Sequence, residues 1–227
     1  MNRRMVIAVD GPAGSGKSTV CREAALELGI KYIDSGAVYR ALTWYLLKVC
    51  PDMAACGEFP EKIKDLIIIQ RFTPDGGSRT FVNGEDVSEE IRTERITGSI
   101  GVVSDDTGVR NFVNTLLREW SREESVIMDG RDIGSVVFPD ADLKVYLDAS
   151  VDERARRRIS EYEEKGKTVD GNAIRNQIIR RDREDESRPF GRLVKNPDAL
   201  YLDTSAMARK QVVDWLVNAV LNAMETR

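Results

Sequence analysis

Short apolar runs that stop on an aspartate recur along the chain: Met5 to Asp10, Ile30 to Asp34, Val126 to Asp129, Leu143 to Asp148 and Leu200 to Asp203. Each has the length of a strand. Thr19 to Leu28 and Ala37 to Val49 instead carry their apolar residues at helical spacing. Strands alternating with helices predict a parallel sheet and an α/β fold. In an open sheet of this kind the carboxyl ends of the strands collect at the ligand-binding edge, so Asp10, Asp34, Asp129 and Asp148 are expected near it. The competing reading is that an aspartate only caps the helix that follows, and at Asp148, before Ala149-Ser150, the two readings stand level. Trp44, Leu46, Leu47, Trp215, Leu216 and Val220 are read as packing residues of helices.

Roughly ninety residues separate the second and third strands, where a simple strand-helix-strand unit needs about 30. Something is inserted there. Arg71-Phe72 and Arg79 to Val82 are strand-like, and Asn83-Gly84 before Glu85-Asp86-Val87 is a hairpin turn signal, which predicts a small antiparallel sheet. Pro51, Gly57 and Pro60 punctuate the approach to it. A second unusual segment, Val151 to Arg192, is crowded with charge and poor in large apolar residues, so no buried core element is expected from it.

Chemistry enters with Gly11 to Ser18, Gly-Pro-Ala-Gly-Ser-Gly-Lys-Ser, which follows the first strand and opens the first helix. Glycines let backbone N–H groups curl around phosphate oxygens, Lys17 adds a movable positive charge, and the Ser18 hydroxyl suits a magnesium ion. Gly11, Pro12, Ala13, Gly14, Ser15, Gly16, Lys17, Ser18 and Thr19 are the candidate ATP-binding residues. Asp129 closes the run Val-Ile-Met-Asp and, with Ser18, is the candidate metal ligand. The chain has no histidine, which excludes imidazole-based acid-base catalysis, Ser-His nucleophiles and zinc sites built on imidazole. Phosphoryl transfer to an acceptor that is itself a phosphate fits this inventory, because an anionic oxygen needs no base and the demand falls on cations.

The net charge of −4 argues against general adhesion to nucleic acid or membrane. Cys21, Cys50 and Cys56 are odd in number and lack metal-type spacing, and Met-Asn-Arg-Arg runs into strand-like residues without a signal-peptide core. Together with an apolar cluster at Leu66 to Ile69 far too short for a bilayer, these features favour a reducing cytoplasm.

In the charged segment, Glu153 with Arg157 and Glu161 with Lys165 are pairs of an ordinary solvated helix. Arg154, Arg157 and Arg158, however, stack cations on neighbouring turns, which is costly unless an anion neutralises them. Arg181, Asp185 and Arg188 recur at i, i+4 and i+7, one helix face if Arg188, before Pro189, stays helical. The functional reading is a mobile, arginine-bearing lid over the phosphate loop.

Asp10 to Ser18, Asp34-Ser35-Gly36-Ala37-Val38-Tyr39-Arg40, Gly84 to Val87 with Ile91-Arg92-Thr93, Asp129-Gly130-Arg131-Asp132-Ile133-Gly134 with Val136 to Ala141, and Arg181 to Arg188 resemble the bacterial cytidylate kinases, in the nucleoside monophosphate kinase group. The matches span nearly the whole chain. The resemblance implies a three-layer P-loop α/β fold with a five-stranded parallel sheet, made of residues 1-38, 115-150 and 199-227, an acceptor-binding insert at 39-114 and a helical lid at 151-198. It implies ATP as donor, CMP and dCMP as acceptors, Mg2+ as cofactor, no nucleic-acid or membrane partner, and a monomer. Carried over by position, Arg40, Arg131 and Arg188 hold the acceptor phosphate, Ser35 and Tyr39 line its pocket, and Arg181 and Asp185 bind the sugar. Arg110 and Asp132 read the base, whose N4 donor beside N3 and O2 acceptors suits a carboxylate with a guanidinium. The chain departs from the family at Gly101, where a serine often assists base recognition. Lys17, Arg131, Arg154, Arg157 and Arg158 are the expected catalytic cations. A different small-molecule kinase, such as a shikimate or gluconate kinase, and a nucleotide switch are the rival readings. For the switch, Lys195-Asn196-Pro197-Asp198 resembles a guanine-reading motif with its first two residues reversed, and it also reads as a turn before the last strand.

Overall fold

In chain order the elements of the computed structural model are β1 (Val6–Asp10), α1 (Lys17–Leu28), β2 (Lys31–Asp34), α2 (Ser35–Val49), α3 (Phe59–Ile63), β3 (Ile68–Phe72), β4 (Ser78–Val82), β5 (Glu85–Asp86), a 3-10 turn (Glu90–Arg92), α4 (Glu94–Ser104), α5 (Thr107–Trp120), β6 (Val126–Gly130), a π-helical turn (Ile133–Val137), β7 (Leu143–Asp148), α6 (Val151–Glu164), α7 (Gly171–Ser187), β8 (Leu200–Asp203) and α8 (Arg209–Glu225). The structure describes residues 4–53, 56–73, 78–164 and 166–225. Lys165, the expected partner of Glu161, and Met1 to Arg3 lie outside them. By internal contact the chain forms two compact units, Met1–Lys31 with Glu124–Arg227, and Tyr32–Glu123.

All five expected strands form, in a five-stranded sheet of order β2-β6-β1-β7-β8. β1 pairs in parallel with β6 and β7, and β7 with β8. Every residue of β1 and β6 is buried, as the unbroken apolar runs require of parallel strands covered on both faces. The register sets Val9 beside Asp129 and Asp148 beside Asp203, so Asp10, Asp129 and Asp148 gather at the carboxyl ends, as expected. The buried stripe of α1 is Val20, Cys21, Ala24 and Ala25, and its outer neighbour α8 buries Val212, Val213, Leu216 and Val220. The apolar residues of α6 and α7 meet in a small cluster of Ala155, Ile174 and Ile178, flanked by Val151, Ile159 and Tyr162. This corrects the expectation that the charged segment holds no buried element. Few apolar residues suffice there because buried charges, Arg154, Asp185 and Arg188, complete the interior.

In the second unit α2 is central, packing on α3, α4, α5, the 3-10 turn and β4. The inserted sheet has the order β3-β4-β5 and both its pairings are antiparallel. β3 begins at Ile68, three residues before the predicted Arg71, because Ile68 is 3% exposed while Ile67 and Ile69 face outward. The Leu66 to Ile69 cluster is therefore half of an alternating strand. Helices α4 and α5 had no counterpart in the sequence reading. Cys50 and Cys56, which the odd cysteine count did not pair, form a disulfide, and Cys21 is free and buried. Among the described residues no helix is long and apolar enough to cross a membrane.

The hairpin turn has φ of 50° at Asn83 and 86° at Gly84, the pair of left-handed residues that a two-residue turn matched to strand twist demands. A Cβ at Gly84 would meet nothing within 4 Å, so only backbone strain opposes a side chain there. Gly84→Ala should therefore lower unfolding stability by about 1 kcal/mol, read from the denaturant midpoint. A neutral effect would show that the turn is not held in this form.

Candidate active site

At the end of β1 the chain turns sharply. Gly11 has φ 151°, and a Cβ there would run into the Leu147 carbonyl of β7, so only glycine admits the loop at this point. The Lys17 ammonium folds back on the loop, donating to the Pro12 carbonyl at 2.7 Å and to Ser15 Oγ at 3.2 Å. Burial, followed by the nearby Arg131 guanidinium, lowers its pKa from 10.5 to about 7, against the opposing pull of Asp129 and Asp10. Ser18 donates its hydroxyl to Asp129 Oδ2 at 2.8 Å, which joins the two residues expected to hold a metal. A hydroxyl and a carboxylate are hard oxygen donors, and two of them suit magnesium, which keeps several waters and binds substrate phosphates besides.

Asp10 does not cap the helix that follows it in the chain. Its carboxylate accepts the N–H groups of Ile133 at 2.8 Å and Gly134 at 2.7 Å and so ties the central strand to the turn that follows Asp132. Burial raises its pKa to about 6 despite those two donors, with the Asp132 carboxylate adding to the rise. Nothing in the sequence marked this bond, since the π-helical turn that brings both N–H groups to one carboxylate has no pattern of its own.

Two residues beyond Asp129 lies Arg131, whose Nε donates to Asp185 Oδ2 at 2.7 Å. Asp185, on α7, has no exposure, and its other oxygen faces Arg188 Nη1 at 3.0 Å and Arg181 Nε at 3.4 Å. Burial pushes its carboxyl up, but the three guanidiniums outweigh that and hold it below the usual carboxylate range. Three cations around one anion leave an excess of two positive charges, the complement of a phosphate dianion. Arg188 leaves helical geometry (φ −55°, ψ 137°), as its place before Pro189 dictates, and still reaches Asp185 because the turn directs it back.

Two of the three stacked arginines of α6, Arg154 and Arg157, are neutralised from within the chain. Arg154 makes a bidentate pair with Asp182 at 2.9 and 2.6 Å and also donates to the carbonyls of Ala149 and Ala13. Arg157 pairs with Glu153 at 2.8 Å, the expected i,i+4 contact, and donates to the carbonyls of Ser15 and Thr204. Arg158 lies over the Tyr162 ring, and its Nε is buried without a hydrogen-bond partner. Asp182 and Thr204 were not singled out in the sequence. No local pattern separates Asp182 from the other acids of a highly charged helix.

Six expected residues belong to the second unit. Asp34 caps α2, accepting the Ala37 N–H at 2.9 Å, and Gln70 clamps the Asp34 backbone through both its N–H and its carbonyl. Ser35, next in the chain, is buried. Arg110 on α5 is 2% exposed and donates to the Tyr39 hydroxyl at 3.1 Å, while Arg40 donates to Thr97 Oγ1 at 2.9 Å. At Gly101 on α4 an added Cβ would meet nothing within 4 Å. The Lys195 to Asp198 segment is structural: Lys195 lies over the Tyr201 ring, Asn196 donates to the Gly134 carbonyl, and Asp198 receives Lys144 at 2.6 Å. The turn reading of that segment holds, with the Ala199 N–H donating to the Asn196 carbonyl.

The depressed pKa of Lys17 makes stability depend on pH. Between about 7 and 10.5 the unfolded chain keeps a proton that the folded state has released, so stability gains from Lys17 as pH rises through that window. Lys17→Met removes this dependence. Its stability relative to the parent protein should be most favourable near pH 7 and should shrink towards pH 10.5, measured by denaturant unfolding without nucleotide. A difference that does not change with pH would mean that the ammonium is not buried.

The family model for cytidylate kinase matches residues 7–222. A cytidylate kinase of Symbiobacterium thermophilum is 41% identical over 215 residues, which cover 93% of this chain and 94% of that protein. A bifunctional pantoate ligase/cytidylate kinase of Parasynechococcus marenigrum is 42% identical over 218 residues, 96% of this chain, and the chain spans 44% of that relative's length. Among solved structures, an uncharacterized protein from Eubacterium ventriosum superimposes with a TM-score of 0.50 at 12% identity, covering 99% of this chain and 100% of the other, a likeness of fold alone. With its phosphate loop, Asp-Ser-Gly-Ala-Val-Tyr-Arg segment and Gly-Arg-Asp-Ile-Gly turn all inside the matched span, the chain belongs to the cytidylate kinase family.

Proposed function

We propose that the chain transfers the γ-phosphoryl group of ATP to CMP and dCMP, yielding the diphosphates and ADP. The observation that carries this reading is the meeting of two anion-binding features at the end of β6. Asp129 takes the Ser18 hydroxyl of the phosphate loop, and two residues later Arg131 enters the three-arginine cluster on Asp185. Arg131 is also the strongest charge acting on Lys17, so the cation of one feature is felt at the other.

An oxygen of the acceptor phosphate attacks the γ-phosphorus as the bond to the ADP oxygen breaks, and no proton must first be removed, in keeping with a chain without histidine. Lys17 leaves the Pro12 carbonyl for the donor phosphates, and that polyanion restores its full charge. Arg131 and Arg158 offset the charge of the transferring group. Arg188 and Arg40 hold the acceptor phosphate with Arg131, while Ser35 and Tyr39 line its pocket. Arg181 and Asp185 bind the sugar, and Arg110 and Asp132 read the cytosine. Ser18 and Asp129 would hold magnesium, which when bound neutralises charge on the β- and γ-phosphate oxygens. With a glycine at 101, that position contributes no side chain to base reading. A protein acting on free nucleotides in the cytoplasm needs no nucleic-acid or membrane partner, and the monomer is the working form.

The test is a coupled assay of ADP release with CMP, dCMP, UMP and AMP as acceptors. CMP and dCMP should lead, and phosphorylation of none of the four would overturn the assignment. Lys17→Ala should lower turnover by at least about a hundredfold with the protein still folded, and near-normal turnover would remove Lys17 from the mechanism. Asp132→Ala should erode the preference for CMP over UMP more than it weakens ATP binding, since uracil presents O4 where cytosine presents its amino group. An unchanged CMP/UMP ratio would take base reading away from Asp132.

A further inference from the structure

Three carbonyls of the phosphate loop are held by cations, one by the loop's own Lys17 and two by arginines of α6. Lys17 takes Pro12 O at 2.7 Å, Arg154 takes Ala13 O at 3.0 Å and Arg157 takes Ser15 O at 3.2 Å. A trans peptide is planar, with its C=O and the following N–H on opposite sides. Fixing the carbonyls of Ala13 and Ser15 towards α6 therefore turns the N–H groups of Gly14 and Gly16 the other way, away from α6. The helix sits close enough to enforce this: a Cβ at Gly14 would lie 3.5 Å from Arg154 Cβ, and one at Gly16 would lie 3.6 Å from Arg157 Nη1.

Neither guanidinium is free to do anything else in this state. Arg154 is 4% exposed, and Nε, Nη1 and Nη2 are all engaged, the last two by the carboxylate of Asp182. Arg157 is braced by Glu153 through Nε and by Thr204 through both Nη groups. Thr204 is itself 1% exposed and donates its hydroxyl to the Asp148 carbonyl, which anchors the brace to the end of β7. Cations meant to meet an incoming phosphoryl group would have to abandon these partners. Cations meant to shape the loop are already in place.

We infer that Arg154 and Arg157 are positioning residues of the donor site, which hold the loop carbonyls of Ala13 and Ser15 outward so that its amides face the donor phosphates, and that Asp182 and Glu153 belong to that site as the carboxylates that hold the arginines. The inference rests on the proposed reading of the loop as the donor site. It moves these two arginines from the transferring group to the loop, and it assigns a role to Asp182, which lies on α7 and touches no loop atom in the contacts above.

ADP separates the two roles, because it fills the loop but lacks the group that is transferred. Equilibrium titration with magnesium ADP and with ATP on Asp182→Asn, which keeps the shape and removes the charge, should show both affinities weakened by about tenfold, with CMP affinity unchanged. The double variant Arg154→Lys, Asp182→Asn should bind ADP no more weakly than the worse single variant, since both changes break one strut. Thermal melting without nucleotide reports whether the fold is intact. Should Asp182→Asn melt below the assay temperature, Arg157→Lys serves the same measurement with the same expectation. An ADP affinity left unchanged while turnover falls would overturn the inference and return the arginines to the transferring group. Unmodified protein that binds no ADP or phosphorylates no CMP would instead overturn the functional reading, so the two failures are distinct.

Discussion

A protein that handles polyanions must keep its cations together when no polyanion is present. Two unit charges of like sign 4 Å apart cost about 4 kcal/mol at an effective dielectric constant of 20, and the unit that carries the phosphate loop holds Lys17, Arg131, Arg154, Arg157, Arg181 and Arg188. The structure meets this constraint with buried or half-buried carboxylates. Asp185 stands among three guanidiniums, Asp182 faces Arg154, and Glu153 faces Arg157. Lys17 lacks such a close partner and rests on a carbonyl and a hydroxyl, which is why burial draws its proton affinity down towards neutrality.

The same carboxylates explain why a segment with so little apolar surface can carry buried side chains. Burying a charge alone is prohibitive, but a paired and hydrogen-bonded charge can enter an interior. Arg154 and Asp185 are among the most buried side chains of α6 and α7, while the apolar contribution is limited to a cluster around Ala155, Ile174 and Ile178. An interior built of ion pairs is sensitive to the loss of one partner, and it holds each arginine in a defined place. That property is more useful at a phosphate site than added apolar burial.

Asp10 makes a further link between scaffold and site. It ends the central strand, precedes the phosphate loop, and takes two N–H groups from the turn after Asp132, so one carboxylate sets the relation of the loop to the Gly130 to Gly134 segment. Asn196 holds the far side of the same turn through the Gly134 carbonyl. A motif that resembled a base-reading element in the sequence thus acts as a brace. The residue types are shared, with the first two in reversed order, and the partners show which role they have here.

The strands, the inserted hairpin and the phosphate loop follow from the chain alone, because each depends on local order: apolar runs of strand length, the Asn83-Gly84 pair, and glycines placed around Lys17. The family was legible only through the resemblance of longer segments, Asp34 to Arg40 and Asp129 to Gly134 among them. The cations were legible too, as residue types that phosphate chemistry requires. What each cation touches was not, since Arg154 with Asp182 are separated by 28 residues, Arg131 with Asp185 by 54, and Arg157 with Ser15 by 142. The π-helical turn also escaped the pattern, because the pull of Asp10 shapes it more than any periodicity of its own does, whereas α5 did carry a signal that went unread, Val109, Val113 and Leu117 at a four-residue spacing and all buried. The order of residues states which charges are available. Which of them are paired, and which carbonyls they hold, is settled only when distant segments come within a few ångströms, where ion pairing and hydrogen bonding act.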